Sequence, residues 1–80
     1  MTEVSESRLP GVGIRYEFTT RAGERVEVVA HRSGRREVYV GSHRDPDTFG
    51  LVLELSEGES WTLAELLGGS RVTRELGRLR

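Results

Sequence analysis

The sequence predicts a small α+β domain: an antiparallel β-meander of about four strands, open or barrel-like, with one packed helix after strand four and a short C-terminal amphipathic helix. Three observations lead there. Large apolar residues recur at every second position in consecutive segments from Ile14 to Gly41, the period of a half-buried strand. Short loops containing glycine separate these segments, which favours antiparallel neighbours. From Ser56 onward the spacing becomes helical, behind a capping signal.

Leu9-Pro10-Gly11-Val12-Gly13 leads into the first strand, where Ile14, Tyr16, Phe18 and Thr20 alternate with Arg15, Glu17 and Thr19. Glu24 to Arg32 forms the second, with Val26, Val28 and Ala30 on one side, and Arg36 to Gly41 the third, with Val38 and Val40 opposing Glu37 and Tyr39. The connections "RAGER" (Arg21 to Arg25) and "RSGRR" (Arg32 to Arg36) each hold a glycine that supplies the positive φ of a tight hairpin. Their likeness is that of two hairpins meeting one geometric requirement, too short to be a repeat.

In "HRDPDTF", Asp45 as N-cap and Pro46 at the first helical position predict one short helical turn before Gly50. The fourth strand then has Leu51, Leu53 and Leu55 on its core face and Val52 and Glu54 opposite. Ser56-Glu57-Gly58-Glu59 matches a capping box, and the helix it opens carries Trp61, Leu63, Ala64, Leu66 and Leu67 before stopping at Gly68-Gly69. Its apolar stripe is expected on the sheet face of Tyr16, Phe18, Val26, Val28, Val38 and Leu53. In "SRVTRELGRLR", Val72, Leu76 and Leu79 recur at helical i, i+4, i+7 spacing among Arg71, Arg74, Arg78 and Arg80, an amphipathic segment that Gly77 weakens as an isolated helix.

The organisation read from this pattern is a flexible N-terminus at 1–8, one α+β domain at 9–69, and the start of a linker helix at 70–80. Eighty residues bury only about 60% of their unfolded surface, so help from oligomerisation or a neighbouring domain is expected. No cysteine is present to supply a disulfide or thiolate site. Twelve basic against 13 acidic residues give a net charge of -1, no global field for nucleic acid or an anionic membrane. The first eight residues carry no apolar signal core, and no run is long enough to span a bilayer, so a soluble, intracellular chain is expected.

Gly11 and Gly13 raise the question of a phosphate loop. "GVGIRY" lacks the third glycine of a dinucleotide fingerprint and runs into a strand, so a structural turn is the better reading. His43, Asp45 and Asp47, with His31, could be drawn as a hard-metal cluster, but their spacing matches no closed site, and no metal or cofactor is expected. No nucleophile and base stand in a catalytic arrangement, which argues against an enzyme. Arg32, Arg35, Arg36 and Arg44 cluster around the second hairpin and the loop beyond the third strand, a candidate partner-contact patch or, alternatively, a small nucleic-acid-binding β-domain. Val72, Leu76 and Leu79 are the second candidate contact; the basic segment that bears them, lacking an aromatic anchor, suits a protein partner better than a membrane surface.

Leu9-Pro10-Gly11-Val12-Gly13, Tyr16-Glu17, Gly23, His31, Gly34-Arg35-Arg36-Glu37 and Leu67-Gly68-Gly69, with "DPD" and "LVLEL" between them, resemble the N-terminal domain of the KhtT-like, TrkA-type regulatory subunits of bacterial cation/proton antiporters. The likeness runs from about Leu9 to Arg80. It implies a non-catalytic regulatory or docking domain, joined in the full subunit to a ligand-sensing C-terminal domain of the TrkA-C type. The implied partners are that domain and an integral-membrane cation/proton antiporter subunit, with homo-oligomerisation in the full subunit and no nucleic acid. The implied place is the cytoplasm, peripheral to the inner membrane. The family's ligand-binding residues lie in the C-terminal domain and match no position here.

Overall fold

The computed structural model describes the backbone of residues 2–42 and 45–69 and the side chains of all of these except 45–48. Five strands follow one another as β1 (Ser5–Leu9), β2 (Gly13–Thr19), β3 (Glu24–His31), β4 (Arg36–Ser42) and β5 (Asp45–Leu55), and one helix, α1 (Glu57–Gly68), follows them. They form an open antiparallel sheet in the order β1-β2-β3-β4-β5, each strand beside its neighbour in sequence, and the sheet does not close into a barrel.

Tight turns set the sequential strand order. Leu9-Pro10-Gly11-Val12 is a type II turn, in which the Val12 N–H donates to the Leu9 carbonyl at 2.9 Å and Gly11 takes a φ of 77°. Pro10 presets the first central position, and Gly11 fills the second, which needs positive φ. The two hairpin loops are the same construction. Gly23 N–H donates to Thr20 O at 3.0 Å and Gly34 N–H to His31 O at 2.9 Å, and both glycines have positive φ before the strand resumes. This is the three-residue loop with a bulge glycine expected of "RAGER" and "RSGRR".

The register sorts the side chains onto two faces. Tyr16 lies opposite Val28, Phe18 opposite Val26, Val28 opposite Val38 and Val38 opposite Leu53, which makes one apolar face. Glu17, Glu27, Glu37 and Tyr39 occupy the other. Gly13 sits in β2 where no side chain fits: a Cβ there would run into the Ala30 carbonyl oxygen.

Three expectations are corrected. A fifth strand, β1, pairs with β2 from Ser5 opposite Glu17 to Leu9 opposite Gly13, so the second half of the segment read as a flexible N-terminus is a sheet edge. No helical turn occupies Asp45 to Gly50; β5 begins at Asp45 instead. An edge strand tolerates the missing N–H of Pro46, and β4 offers an unpaired edge, so pairing outweighs the local start signal. Finally, a bulge between Val38 and Tyr39 sets Leu53 opposite Val38 but Leu51 opposite Tyr39. The extra residue flips Leu51 away from the core face that Leu53 and Leu55 share.

Helix α1 opens as the sequence indicates. The Glu59 N–H donates to the Ser56 hydroxyl at 3.1 Å, and the Ser56 N–H donates to the Glu59 carboxylate at 2.8 Å. Gly69 closes the helix with φ 84°, its N–H donating to Leu66 O. Replacing Ser56 by alanine is expected to cost about 1 kcal/mol, read as a lower denaturant midpoint at unchanged slope.

The helix covers the apolar face loosely. Between them lies an open cavity of about 350 Å³, with Phe18, Val26, Val28 and Val38 on the sheet side, Leu63, Ala64 and Leu67 on the helix side, and Leu53 and Leu55 from β5. Val29 is the single core side chain among the described residues, and no residue of α1 is buried.

Candidate functional site

The polar face of the sheet carries several ion pairs. The Arg25 guanidinium donates from Nε and Nη2 to Glu17 Oε2, at 3.0 and 2.7 Å, while its carbon stands 4.8 Å from the Phe49 ring centre. Arg15 and Glu27 approach to 3.5 Å. Glu37 receives three partners: His31 Nε2 at 2.8 Å, the Tyr39 hydroxyl at 3.1 Å and Arg35 Nη2 at 3.6 Å. A carboxylate only accepts, so His31 must carry its proton on Nε2.

These contacts set the titration. The hydrogen bond from His31, aided by Tyr39 and by the charge of Arg35 and opposed by partial desolvation, holds the Glu37 carboxyl below its ordinary value. Desolvation and the hydrogen bond to Glu37 push the Tyr39 hydroxyl above its ordinary value. A depressed carboxyl stabilises the fold above its unfolded pKa and loses that contribution as pH falls through the folded one. A raised phenol stabilises below its unfolded pKa and loses its share as pH rises through the folded one. The Glu37→Gln variant is therefore expected to lose less stability than the parent when melting curves are compared from pH 6 down to pH 3, below the ordinary range near pH 4.3.

The arginines expected as one patch are dispersed. Arg35 divides itself between Glu37 and Glu54, each at 3.6 Å. Arg36 points the other way, lining the apolar cavity and donating to the Gly34 carbonyl at 2.7 Å. Arg32 is exposed on the hairpin tip, and Arg44 lies outside the described residues. His43 also lies outside them, as do Val72, Leu76 and Leu79. His31, the other nitrogen of the metal sketch, is committed to Glu37.

The glycine turn offers little to a phosphate. The Val12 N–H is used by Leu9, and the Val12 carbonyl accepts from the Arg32 N–H at 2.8 Å, tying the turn to the second hairpin. Its job is to join two loops.

Sequence reasoning missed the outer side of α1. Of the residues read as its buried stripe, Leu63, Ala64 and Leu67 meet the cavity, but Trp61 is 68% exposed and Leu66 42%. Leu67 is itself 79% exposed, at an open lip of the cavity. Counting 100° per residue from Leu63 would have turned Trp61 well away from it. Leu51 and Val52 on β5 add further exposed apolar surface. Among the described residues no helix is long and apolar enough to cross a membrane.

Comparison with known proteins gives this surface its context. Residues 2–71 match the family described as the N-terminal domain of the K(+)/H(+) antiporter subunit KhtT. The K(+)/H(+) antiporter subunit KhtT of Bacillus subtilis is 38% identical over 66 residues, 82% of this chain and 40% of that protein. The ammonium/H(+) antiporter subunit AmhM of Alkalihalophilus pseudofirmus is 37% identical over 67 residues, again 82% and 40%, and the uncharacterized protein YrvC of Bacillus subtilis is 32% identical over 66. The chain thus spans 40% of the length of each of these relatives. A match over nearly the whole chain, on the strand and turn pattern just described, places this protein in the KhtT N-terminal domain family.

Proposed function

We propose that this chain is the non-catalytic regulatory and docking domain of a cation/proton antiporter subunit. It acts in the cytoplasm through protein contacts, at the inner face of the membrane. The observation that carries the reading is the likeness to two subunits named for antiporters, one for potassium and one for ammonium, in a domain whose helix leaves its apolar side half open. The polar face supports it, because its carboxylates are spent on structural ion pairs.

In the full subunit the domain is coupled to a ligand-sensing domain of the TrkA-C type and to a second subunit. Val72, Leu76 and Leu79 are the proposed contact on that side, and Arg32, Arg35, Arg36 and Arg44 a second, polar one. Coupling of this kind requires contacts that differ between two states.

The test is recovery of the antiporter from detergent extracts on the tagged full subunit, with and without residues 9–69. Recovery only with the domain present is expected. Equal recovery without it refutes a docking role.

A further inference from the structure

Among the described residues the sheet ends at two open edges, β1 and β5. The β5 edge is guarded: it carries Pro46, leaves regular register at two points, and bears Asp45, Asp47 and Glu54 with no basic residue to answer them in another copy. β1 lacks both the proline and the irregular register. It pairs with β2 in unbroken register over all five of its residues and carries one charge of each sign, Glu6 and Arg8.

The hairpin decides which backbone groups of β1 are free. The Leu9 carbonyl accepts from Val12 inside the turn, so Leu9 directs its N–H and C=O toward β2, and in an antiparallel ladder the alternate residues Ser7 and Ser5 do the same. The N–H and C=O of Glu6 and Arg8 therefore point outward from the sheet. Their side chains are exposed, and no ion pair among the described residues uses either.

A second copy of β1, run antiparallel along this edge, offers three registers in which these residues meet one another. Centred on Glu6 or on Arg8, it sets a residue opposite its own like charge, which is unfavourable. Centred on Ser7, it sets Glu6 of each copy opposite Arg8 of the other. Those pairs exchange both of their outward hydrogen bonds, with Ser7 facing Ser7 between them. Charge and backbone hydrogen bonding thus select the same register.

We infer that β1 is a self-association edge: two copies join β1 to β1 about a two-fold axis at Ser7, making one ten-stranded sheet from two of five. This rests on the coupling to a second subunit proposed above and gives that coupling a surface within this domain. The pairing closes on itself, because each copy uses its β1 edge and leaves only the guarded β5, whereas β1 on β5 would leave an open end at every addition.

The experiment measures self-association of the 80-residue chain by sedimentation equilibrium. A dimer is expected. Glu6→Arg and Arg8→Glu should each weaken it about tenfold, since two cross-strand attractions become repulsions. An equimolar mixture of the two variants should recover the parental affinity, because each charge at position 6 again meets the opposite sign at position 8. Both positions are exposed, so far-UV circular dichroism should show each variant folded. In this register the two Ser7 Cα atoms stand about 4.5 Å apart, within disulfide span. The chain has no cysteine, so Ser7→Cys should give a disulfide-linked dimer under mild oxidation, while Thr62→Cys, on exposed α1, should not.

A chain that stays monomeric up to about millimolar concentration overturns the inference, as does a dimer that neither charge reversal weakens. A dimer lost instead in Leu76→Gln/Leu79→Gln belongs to the C-terminal residues and overturns it too. If the chain is monomeric while the antiporter is recovered on the tagged subunit only with the domain present, the docking role stands and this edge is wrong. If the charge swap behaves as expected and recovery is equal without the domain, the edge stands and the docking role fails.

Discussion

Replacing Gly13 by alanine is expected to destabilise the domain by more than about 3 kcal/mol, the range that only a severe steric or burial fault reaches. The added Cβ would meet the Ala30 carbonyl oxygen, with its carbonyl carbon at 2.9 Å and His31 Cα at 3.0 Å. All three are backbone of β3, so relief requires parting the paired strands at the end of the ladder where Gly13 lies opposite His31. Gly11→Ala is the control. Open space surrounds that position and only its φ of 77° opposes a side chain, a cost of about 1–2 kcal/mol. In thermal melts each kcal/mol moves the midpoint by about 4–8 °C in a domain of this size. Equal losses in the two variants would contradict the close-approach account.

Val28→Asp is expected to have a comparable effect for a different reason. Val28 stands between Tyr16 and Val38 in the middle of the sheet and lines the apolar cavity, with no cationic partner opposite it in the register. A carboxylate there loses water on an apolar face whose cation, Arg36, is held at the Gly34 carbonyl, which costs about 3 kcal/mol and is a large share of the stability of a small domain. Leu67→Gln lines the same cavity from its exposed lip and is expected to change stability by no more than about 0.5 kcal/mol. A chemical-denaturation series on both variants checks the contrast. If both unfold alike, the helix seals the cavity in solution.

The parts of this fold that a reader of the sequence can find are those in which local chemistry and tertiary pairing agree. "RAGER" and "RSGRR" demand the same glycine conformation that the hairpins use, Tyr16 and Phe18 alternate with the period of the strand they occupy, and Ser56 and Glu59 close the box their spacing announces. Where the two disagree, pairing wins. Ser5 to Leu9 has no apolar alternation to mark it, and forms a strand because β2 presents an edge. Asp45 and Pro46 spell a helix start and sit in a strand on the opposite edge. The bulge that turns Leu51 outward depends on where β4 and β5 slip past each other, which neither segment states alone.

The candidate site was less legible. The arginines look like a cluster because they are close in sequence, yet Arg35 and Arg36 alternate onto opposite faces and take different partners.

The strand order has a kinetic consequence. Every strand lies beside the one before it, and the three hairpin connections from β1 to β4 are tight turns, so the meander assembles from contacts made a few residues apart along the chain. Folding speed rises as such contacts become more local, because little loop entropy is lost before pairing begins. In the relatives, where this unit is the N-terminal domain, it is placed to fold while the ribosome is still adding the rest of the subunit.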